Sequence, residues 1–148
     1  SAEEMYEEAR RAYTDADAGI LCAAVADFTP DHTADHKIKR GKDGMTIQLK
    51  PTKDIAASLG ATKKEGQVLV GFALETNDEQ QNAKGKLERK NFDFIVLNSL
   101  NDKGAGFRVD TNKISIIDRQ DTTSYPLKNK SEVAKDIIDR LVQTLNKN

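Results

Sequence analysis

The sequence has no tryptophan, only one cysteine and no long apolar segment. With Cys22 alone, no disulfide can form within the chain, and this cysteine usage is typical of a reducing compartment, so we expect a cytoplasmic protein. The longest apolar run, residues 18–26, is far too short to span a bilayer, and the acidic N-terminal stretch is unlike a secretory signal. No membrane association is therefore expected.

The chain also has no excess of positive or negative charge. The chain carries 23 Lys and Arg against 24 Asp and Glu, which gives no reason to expect nucleic acid as a partner. Hydrophobic residues make up 37% and charged residues 32% of the 148 residues, and a chain of this length can bury a real core. We therefore expect a single soluble domain over residues 1–148.

Helical and extended patterns alternate along the chain. The predicted helices begin at the cap residues Ser1, Thr52, Thr76 and Ser131 and run to residues 13–18, 59, 91 and the last turn of the chain; Gly60 stops the second. The predicted strands cover residues 19–28, 45–49, 67–74 and 92–97, followed by a hairpin of 107–110 and 113–118 that turns at 110–112. The run 45–49 alternates and should be half-buried, whereas 67–74 and 92–97 should be buried on both faces.

This alternation predicts an α/β fold, a three-layer, Rossmann-like and mostly parallel sheet with an antiparallel hairpin at its edge. The chain opens on a helix and has neither the leading strand nor the glycine-rich turn with which a doubly wound domain begins. We therefore expect the domain to be incomplete, the C-terminal part of a larger one.

The stretch 21–42 holds the first candidate site residues. Asp27 is expected where a small-residue strand ends, and a basic segment follows it, made of Lys37, Lys39, Arg40 and Lys42 around Gly41. Ligands of open α/β sheets bind at the carboxyl ends of strands, so an acid there and a basic loop downstream suggest phosphate chemistry. The plainer interpretation is a packed alanine-rich strand followed by a solvated loop.

Four stations at strand ends or helix starts should meet in one crevice: Asp27, residues 52–57, the pair Gly71 and Phe72, and Asn98. Asp27 could bind a ribose hydroxyl or help hold Mg²⁺. The helix start at Asp54, Ile55, Ala56 and Ala57 offers free backbone amides to a phosphate. Gly71 allows close backbone approach, and Phe72 offers a flat face to a base or sugar.

Lys86 and Lys90 are four residues apart and should share a helix face, from which both could reach a triphosphate. A solvated face with Glu79 and Glu88 explains the same spacing. No P-loop, no GxGxxG and no Ser/His/Asp group is present. The residues alone therefore indicate a nucleotide or phosphate ligand in an α/β crevice.

Two further residue types have plain interpretations. Cys22 lies within the predicted apolar strand, where a packed, unreactive thiol is expected. His32 and His36 are four apart beside Asp31 and Asp35, but Pro30 and the polar surroundings favour a loop over a metal-binding helix.

Several ordered motifs together resemble one family. They are AAVADF at 23–28, KIKRGK at 37–42, TKDI at 52–55, GFALET at 71–76 and KLERKNFD at 86–93, with Gly106, Phe107 and Asn112 near the end. In this order they resemble phosphopantothenoylcysteine synthetase, the ligase half of the bacterial bifunctional coenzyme A biosynthesis flavoprotein. The likeness covers nearly the whole chain.

The resemblance implies a CTP-dependent ligation of 4'-phosphopantothenate with cysteine through an acyl-cytidylate. It implies that Lys37, on a mobile flap, is catalytic in the second half-reaction. The nucleotide site would comprise Asp27, Lys37, Asp54, Ile55, Ala56, Ala57, Phe72, Lys86 and Lys90. Asp27 would contact the nucleotide or its Mg²⁺, FMN would belong only to the absent decarboxylase half, and the protein would be a homodimer.

Three departures from the family pattern are visible. Lys53 replaces a frequent proline, Leu74 replaces a small residue, and the family's glycine-rich N-terminal segment with its asparagine has no counterpart here. The chain alone is therefore expected not to complete catalysis. One alternative is a non-catalytic nucleotide-binding or assembly module on the same scaffold. Another is an oxidoreductase, against which the sequence shows no dinucleotide-binding fingerprint.

Overall fold

The computed structural model describes residues 1–39, 44–75, 77–99 and 109–147. Within these ranges the helices are α1 (Ala2–Tyr13), α2 (Ile55–Thr62), α3 (Glu79–Arg89) and α4 (Lys130–Leu145). The strands are β1 (Ala18–Leu21), β2 (Phe28–Pro30), β3 (Leu49–Pro51), β4 (Val68–Glu75), β5 (Phe94–Ser99), β6 (Thr111–Asn112), β7 (Ile114–Asp118), β8 (Thr122–Ser124) and β9 (Lys128–Asn129). No helix in the described ranges is long and apolar enough to cross a membrane.

The main sheet has five described strands in the order β1-β4-β5-β7-β8. β1, β4 and β5 are parallel, whereas β7 runs antiparallel to β5 and β8 antiparallel to β7. Two small antiparallel ribbons, β2-β3 and β6-β9, lie outside this sheet. The predicted α/β class, a mostly parallel sheet with an antiparallel hairpin at its edge, is confirmed.

The sheet separates two apolar clusters, which gives the predicted three layers. Successive residues of a strand point to opposite faces. In β4, Val68 and Val70 pack with Val133 and Ile137 of α4, whereas Leu69 between them packs with the cluster built on α1, α2 and α3. Helices cover both faces of β5 and of the first half of β4, where the apolar runs are buried as predicted. Phe72 and Leu74 are 37% and 40% exposed, so the prediction that β4 is buried on both faces is wrong for its second half.

Two polar side chains, Gln67 and Asp93, form hydrogen bonds between helices and strands at the amino ends of the parallel strands. Gln67 is 9% exposed and donates from Nε2 to the carbonyls of Tyr13 and Ala16, at 2.8 and 2.6 Å, so it joins the end of α1 to β4. Asp93 accepts from the backbone N–H of Leu69 at 2.6 Å and from Lys63 Nζ at 2.9 Å. These contacts fix the end of the molecule opposite the carboxyl ends of the strands.

The first strand is shorter than predicted. β1 ends at Leu21, and residues 22–27 have no regular structure, so Asp27 lies on a loop and not where a strand ends. Alanine has low β propensity, and in the described sheet β1 pairs only with β4. The segment is anchored instead to Thr52, which donates from its backbone N–H to Asp27 O at 2.9 Å and from Oγ1 to Ala26 O at 2.7 Å.

The half-buried strand predicted at 45–49 is also wrong. Residues 44–48 have no regular structure, and β3 covers only Leu49–Pro51, where it pairs with β2. Met45, Ile47 and Leu49 are all more than half exposed. Their alternation is real, but in the described part of the chain no layer covers the apolar side.

Two helix starts differ from the prediction. α2 is capped by Asp54, whose carboxylate accepts the N–H of Ala57 at 3.0 Å, because Thr52 uses its hydroxyl on the loop after β1. α4 has Asn129 as its cap residue, and Asn129 N–H donates to the Glu132 carboxylate at 3.2 Å; Ser131 lies within the helix. α2 also continues through Gly60 to Thr62, so Gly60 does not end it.

The antiparallel hairpin at the edge of the sheet turns after Asp118 and not, as predicted, at residues 110–112. β7 turns at Asp118, whose carboxylate accepts the N–H groups of Gln120 and Asp121, and returns as β8. The predicted turn residues Thr111 and Asn112 form β6, which pairs with β9. The predicted first arm at 107–108, the break at 104–106 and the cap residue Thr76 lie outside the described residues; α3 begins at Glu79 after Asp78, which has φ 45°.

Candidate functional site

A cavity of about 490 Å³ opens beside the carboxyl end of β1, where Ile20 and Leu21 line it, and reaches Phe72 in the middle of β4. α2 contributes its first turn, α3 its second half, and the loop after β1 forms one wall. Of the predicted site residues, Asp27, Asp54, Ile55, Ala56, Phe72, Lys86 and Lys90 line this cavity. The stations that the sequence places far apart are thus brought together at the edge of the sheet where ligands of open α/β folds bind.

Asp27 stands at the wall formed by the loop after β1, and its position is fixed through the backbone. Its carbonyl accepts the N–H of Thr52, so the loop and the segment that leads into α2 are joined beside the cavity. The side chain of Asp27 is exposed. A carboxylate in this place can accept a ribose hydroxyl or bind a cation.

The first turn of α2 is shaped by Asp54. Burial of Asp54 works toward a higher pKa, but the N–H of Ala57 and the ammonium of Lys90 outweigh it, so the pKa of this carboxyl lies below its usual range. Ala57 does not line the cavity, and its N–H is already donated to Asp54 at 3.0 Å. The prediction of a free amide at Ala57 is therefore wrong, because the helix cap occupies it.

Lys86 and Lys90 share one face of α3, as their spacing predicts, and both are partly buried in the cavity wall. Lys86 Nζ lies 2.6 Å from Glu75 Oε1, and Lys90 Nζ lies 3.2 Å from Asp54 Oδ2. The side chain of Glu75 is only 15% exposed. Each lysine thus faces the cavity with one carboxylate partner and can still donate to an anion, since an ammonium has three N–H donors.

The aromatic part of the cavity has two members. Phe72 is 37% exposed, which leaves part of its ring open to the cavity. Phe92, only 3% exposed, also lines it. A Cβ atom at Gly71 would lie 2.4 Å from Phe92 Cε2, so the predicted close approach at Gly71 is made by this ring.

Lys37 and Asn98 are predicted functional residues that do not line the cavity. Lys37 is exposed in a stretch without regular structure, and Arg40, Gly41 and Lys42 of the basic segment lie outside the described residues. Asn98 lies in β5 between Leu74 and Ile114, and no partner for its buried Oδ1 occurs in the described structure. The catalytic role of Lys37 stays a prediction.

Cys22 is not packed within a strand, as predicted, because β1 ends one residue before it. The thiol is exposed and lines the cavity. The alternative metal site has no support: His32 Nε2 lies 3.2 Å from Asp31 Oδ2, but no group of three metal-binding side chains occurs in the part of the chain that is described.

Mg²⁺ fits the cavity in a limited way. Of the described carboxylates that line it, Asp54 is engaged by Ala57 and Lys90, which leaves Asp27 as the available oxygen ligand. Mg²⁺ is usually bound through one or two carboxylates together with substrate phosphates. Asp27 could therefore contribute to holding a magnesium–nucleotide complex.

Sequence reasoning missed several contributors to the site. Glu75, next to the GFAL run, is the partner of Lys86, and Met5, Leu21 and Val25 supply apolar wall. Their sequence gives no local sign of this, because they reach the cavity from different elements. A second cavity of about 450 Å³ lies at the end of α1, beside Arg10, Arg11 and Lys64, and contains no predicted site residue.

The chain matches the model of one protein family, described as the DNA/pantothenate metabolism flavoprotein C-terminal domain, over residues 1–145. Among curated proteins it is 57% identical over 143 residues to a cysteine/cysteine sulfinic acid decarboxylase from an unidentified prokaryote, covering 96% of this chain and 40% of that protein. It is 44% identical over 142 residues to the coenzyme A biosynthesis bifunctional protein CoaBC of Bacillus subtilis, covering 95% and 35%. The chain therefore spans well under half the length of these relatives.

Solved structures give the same fold. The crystal structure of the C-terminal domain of a CoaBC protein is 32% identical with a TM-score of 0.80, covering all of this chain and 64% of that one. A Cab2 mutant in complex with phosphopantothenate-cysteine is 20% identical with a TM-score of 0.62, covering 86% of this chain and 43% of that one. The second likeness concerns the fold alone.

Proposed function

The chain belongs to the DNA/pantothenate metabolism flavoprotein C-terminal domain family, as its motifs predict, and we propose that it forms the nucleotide-binding part of a CTP-dependent phosphopantothenate–cysteine ligase. The observation that supports this most is the convergence of Asp27, the first turn of α2, Phe72, Lys86 and Lys90 on one cavity beside the carboxyl end of β1. The activity is proposed for the whole protein of which the matched region is a part.

The proposed reaction has two halves. The carboxylate of 4'-phosphopantothenate attacks the α-phosphorus of CTP, which gives an acyl-cytidylate and releases pyrophosphate. The amine of cysteine then attacks the acyl carbon, the amide forms, CMP leaves and the amine loses a proton. A carboxylate becomes a good acyl donor only after this activation, and cations must offset the charge of the phosphates that separate.

The residues of the cavity fit parts of this chemistry. Lys86 and Lys90 would donate to the phosphates from the α3 side, and the first turn of α2, whose Ala57 N–H is held by Asp54, would present the backbone N–H of Ile55 from the other. Phe72 would stack against the base or sugar. Mg²⁺, when bound, would offset phosphate charge beside Asp27. Lys37, which does not line the cavity, would stabilise charge on the acyl-phosphate in the second half-reaction.

Titration of the chain with CTP and with ATP, with and without Mg²⁺, tests the nucleotide site by calorimetry. Lys86→Ala and Lys90→Ala should each weaken CTP binding about ten- to a hundredfold, because a hydrogen bond to a charged group contributes roughly 1.5–3 kcal/mol. Lys84→Ala, an exposed lysine of the same helix that is not part of the cavity wall, is the matched control and should leave binding unchanged. Amide formation is then to be assayed in the whole protein.

A second candidate, a non-catalytic nucleotide-binding or assembly module, is favoured by one observation. Lys86 and Lys90 are both ion-paired with carboxylates, so the lysines that α3 contributes to the cavity are already neutralised. A chain that binds neither CTP nor ATP in the calorimeter would support an assembly module. Binding that does not depend on Lys86 or Lys90 would also count against the ligase site as proposed.

We also propose that the protein is a homodimer. The β2-β3 ribbon exposes Phe28 and Leu49, and Ile47, just before β3, is exposed as well; each is more than half accessible, and in the described chain no layer covers them. Exposed apolar groups of this kind mark association surfaces. Phe28→Ser with Leu49→Ser should shift the mass measured by light scattering from dimer to monomer, and a wild-type chain that is already monomeric at high concentration would refute this proposal.

A further inference from the structure

Gly60 lies in the middle of α2, where a helix ordinarily disfavours glycine, and its lack of a side chain is used in a specific contact. A Cβ atom at this position would lie 2.0 Å from the carbonyl oxygen of Lys90 and 2.8 Å from its carbonyl carbon. Real Cβ atoms do not approach backbone oxygen so closely. Only glycine therefore lets α2 touch the backbone at the end of α3.

Asn91 fastens this contact from the α3 side. It has φ 51°, a left-handed conformation that asparagine tolerates better than most residues, and its Nδ2 donates to the carbonyl of Gly60 at 3.0 Å. Its own carbonyl accepts from Lys63 Nζ at 2.9 Å, and its Oδ1 accepts from the Arg119 guanidinium at 3.0 Å. The backbone of α3 is thus joined to α2 directly after Lys90.

The two segments joined at this point supply opposite walls of the cavity. Asp54, at the start of α2, is six residues before Gly60, a distance of about 9 Å along a helix axis. Lys90 projects its ammonium to within 3.2 Å of the Asp54 carboxylate. The relative placement of the α2 first turn and Lys90 therefore depends on how closely α2 approaches the end of α3.

We propose that Gly60, together with Asn91, is a positioning residue of the nucleotide site, which sets the spacing between the α2 first turn and Lys90. This inference rests on the proposed function for the identity of the ligand. Neither residue lines the cavity, so both act through Asp54 and Lys90. A Cβ atom at Gly60 could be accommodated only if the Lys90 backbone or α2 moved by at least 1.0 Å, the difference between 2.0 Å and the 3.0 Å below which Cβ contacts are essentially never seen.

The test is Gly60→Ala, compared with Gly85→Ala as the matched control. Gly85 is in α3, and a Cβ atom there would meet only the flexible end of Arg89, 2.9 Å away. Gly60→Ala should raise the pKa of Asp54, followed by NMR, toward its ordinary value, because Lys90 moves away. CTP should bind about tenfold more weakly, the lower end of what the loss of one hydrogen bond to a charged group costs, because the flexible lysine side chain can compensate in part.

Gly85→Ala should change neither quantity. Asn91→Gly keeps the left-handed backbone and removes both side-chain hydrogen bonds, so it should shift the Asp54 pKa and the CTP affinity in the same direction by less. If Gly60→Ala does not fold, the Asn91→Gly variant tests the positioning role in its place. Unchanged Asp54 pKa and CTP affinity in folded Gly60→Ala, or equal changes in Gly85→Ala, would overturn the inference. A wild-type chain that binds no CTP refutes the proposed function, whereas the Asp54 titration still decides the positioning role.

Discussion

The contact between Asp93, Lys63 and Leu69 should contribute more to stability than any exposed ion pair of the chain. Asp93 Oδ2 accepts from Lys63 Nζ at 2.9 Å and from the backbone N–H of Leu69 at 2.6 Å. The side chains of Lys63 and Asp93 are only 11% and 17% exposed. The carboxylate therefore joins the end of α2, the start of β4 and the start of β5 in an environment that water screens poorly.

The two substitutions at Asp93 differ in what they leave unpaired. Asp93→Asn keeps an acceptor for Leu69 N–H and removes one charge-assisted hydrogen bond, so it should lower the free energy of unfolding by about 2 kcal/mol. Asp93→Ala also leaves the Leu69 N–H without its partner and should cost about 3–4 kcal/mol, near the range for breaking a buried pair. Lys63 retains the Asn91 carbonyl, which limits the loss.

Urea unfolding followed by circular dichroism measures both values. Glu8→Gln is the matched control, because Glu8 and its partner Arg11 are each more than half exposed, and the change should cost less than about 0.5 kcal/mol. In the double variant Lys63→Met/Asp93→Asn, the cost should be smaller than the sum of the single costs. If Asp93→Asn costs no more than Glu8→Gln, the reasoning about this contact is refuted.

Three further changes have defined outcomes. Burial, with a smaller contribution from the charge of Asp93, raises the pKa of Tyr13 from 10.0 to about 12, so this residue does not change stability with pH below pH 10 and lowers the free energy of unfolding as the pH rises toward 12. Tyr13→Phe removes a buried hydroxyl without a partner among the described residues, so it should raise the unfolding free energy by about 1 kcal/mol and abolish that alkaline loss in melting curves. Asp54 has a depressed pKa, so its contribution is present above its ordinary pKa and is lost as the pH falls through the depressed value; the melting temperatures of wild type and Asp54→Asn should converge at acid pH. Gly71→Ala should cost about 1–3 kcal/mol in urea unfolding, because its Cβ atom would overlap the Phe92 ring.

The sequence predicts the core strands well and the exposed strands poorly, for a physical reason. In β5 and in the first half of β4, helices cover both faces of the continuous apolar runs, so pattern and packing agree. Residues 45–49 have an equally regular pattern, but no described layer meets their apolar side, and only Leu49 of this run is in a strand. Alternation records which side chains are apolar and contains no information about what covers them.

In the candidate site, too, the sequence predicts local relations between residues but not the contacts that depend on the folded chain. The four-residue spacing of Lys86 and Lys90 is local, and it correctly predicts one shared helix face. Their ion-pair partners, Glu75 and Asp54, come from β4 and from the start of α2, so only the folded chain brings them together. The sequence predicts a helix stop at Gly60, because glycine commonly ends helices. In the structure Gly60 lies within α2 and permits a close contact with the backbone at the end of α3.

The charges around the cavity lead to one last prediction. Its described ionisable groups, with Glu75, comprise Lys53, Lys86 and Lys90 against Asp27, Asp54 and Glu75, so their formal charges cancel. Such a site attracts a free anion weakly at long range. In the proposed function, a triphosphate must therefore share each ammonium with a carboxylate or arrive with Mg²⁺. Glu75→Gln removes one negative charge beside Lys86, so it should strengthen CTP binding in the calorimeter, most of all without Mg²⁺, whereas Glu79→Gln, which is outside the cavity wall, should not. Weaker CTP binding by Glu75→Gln would mean that Glu75 serves mainly to hold Lys86 in place and that charge balance does not limit nucleotide binding.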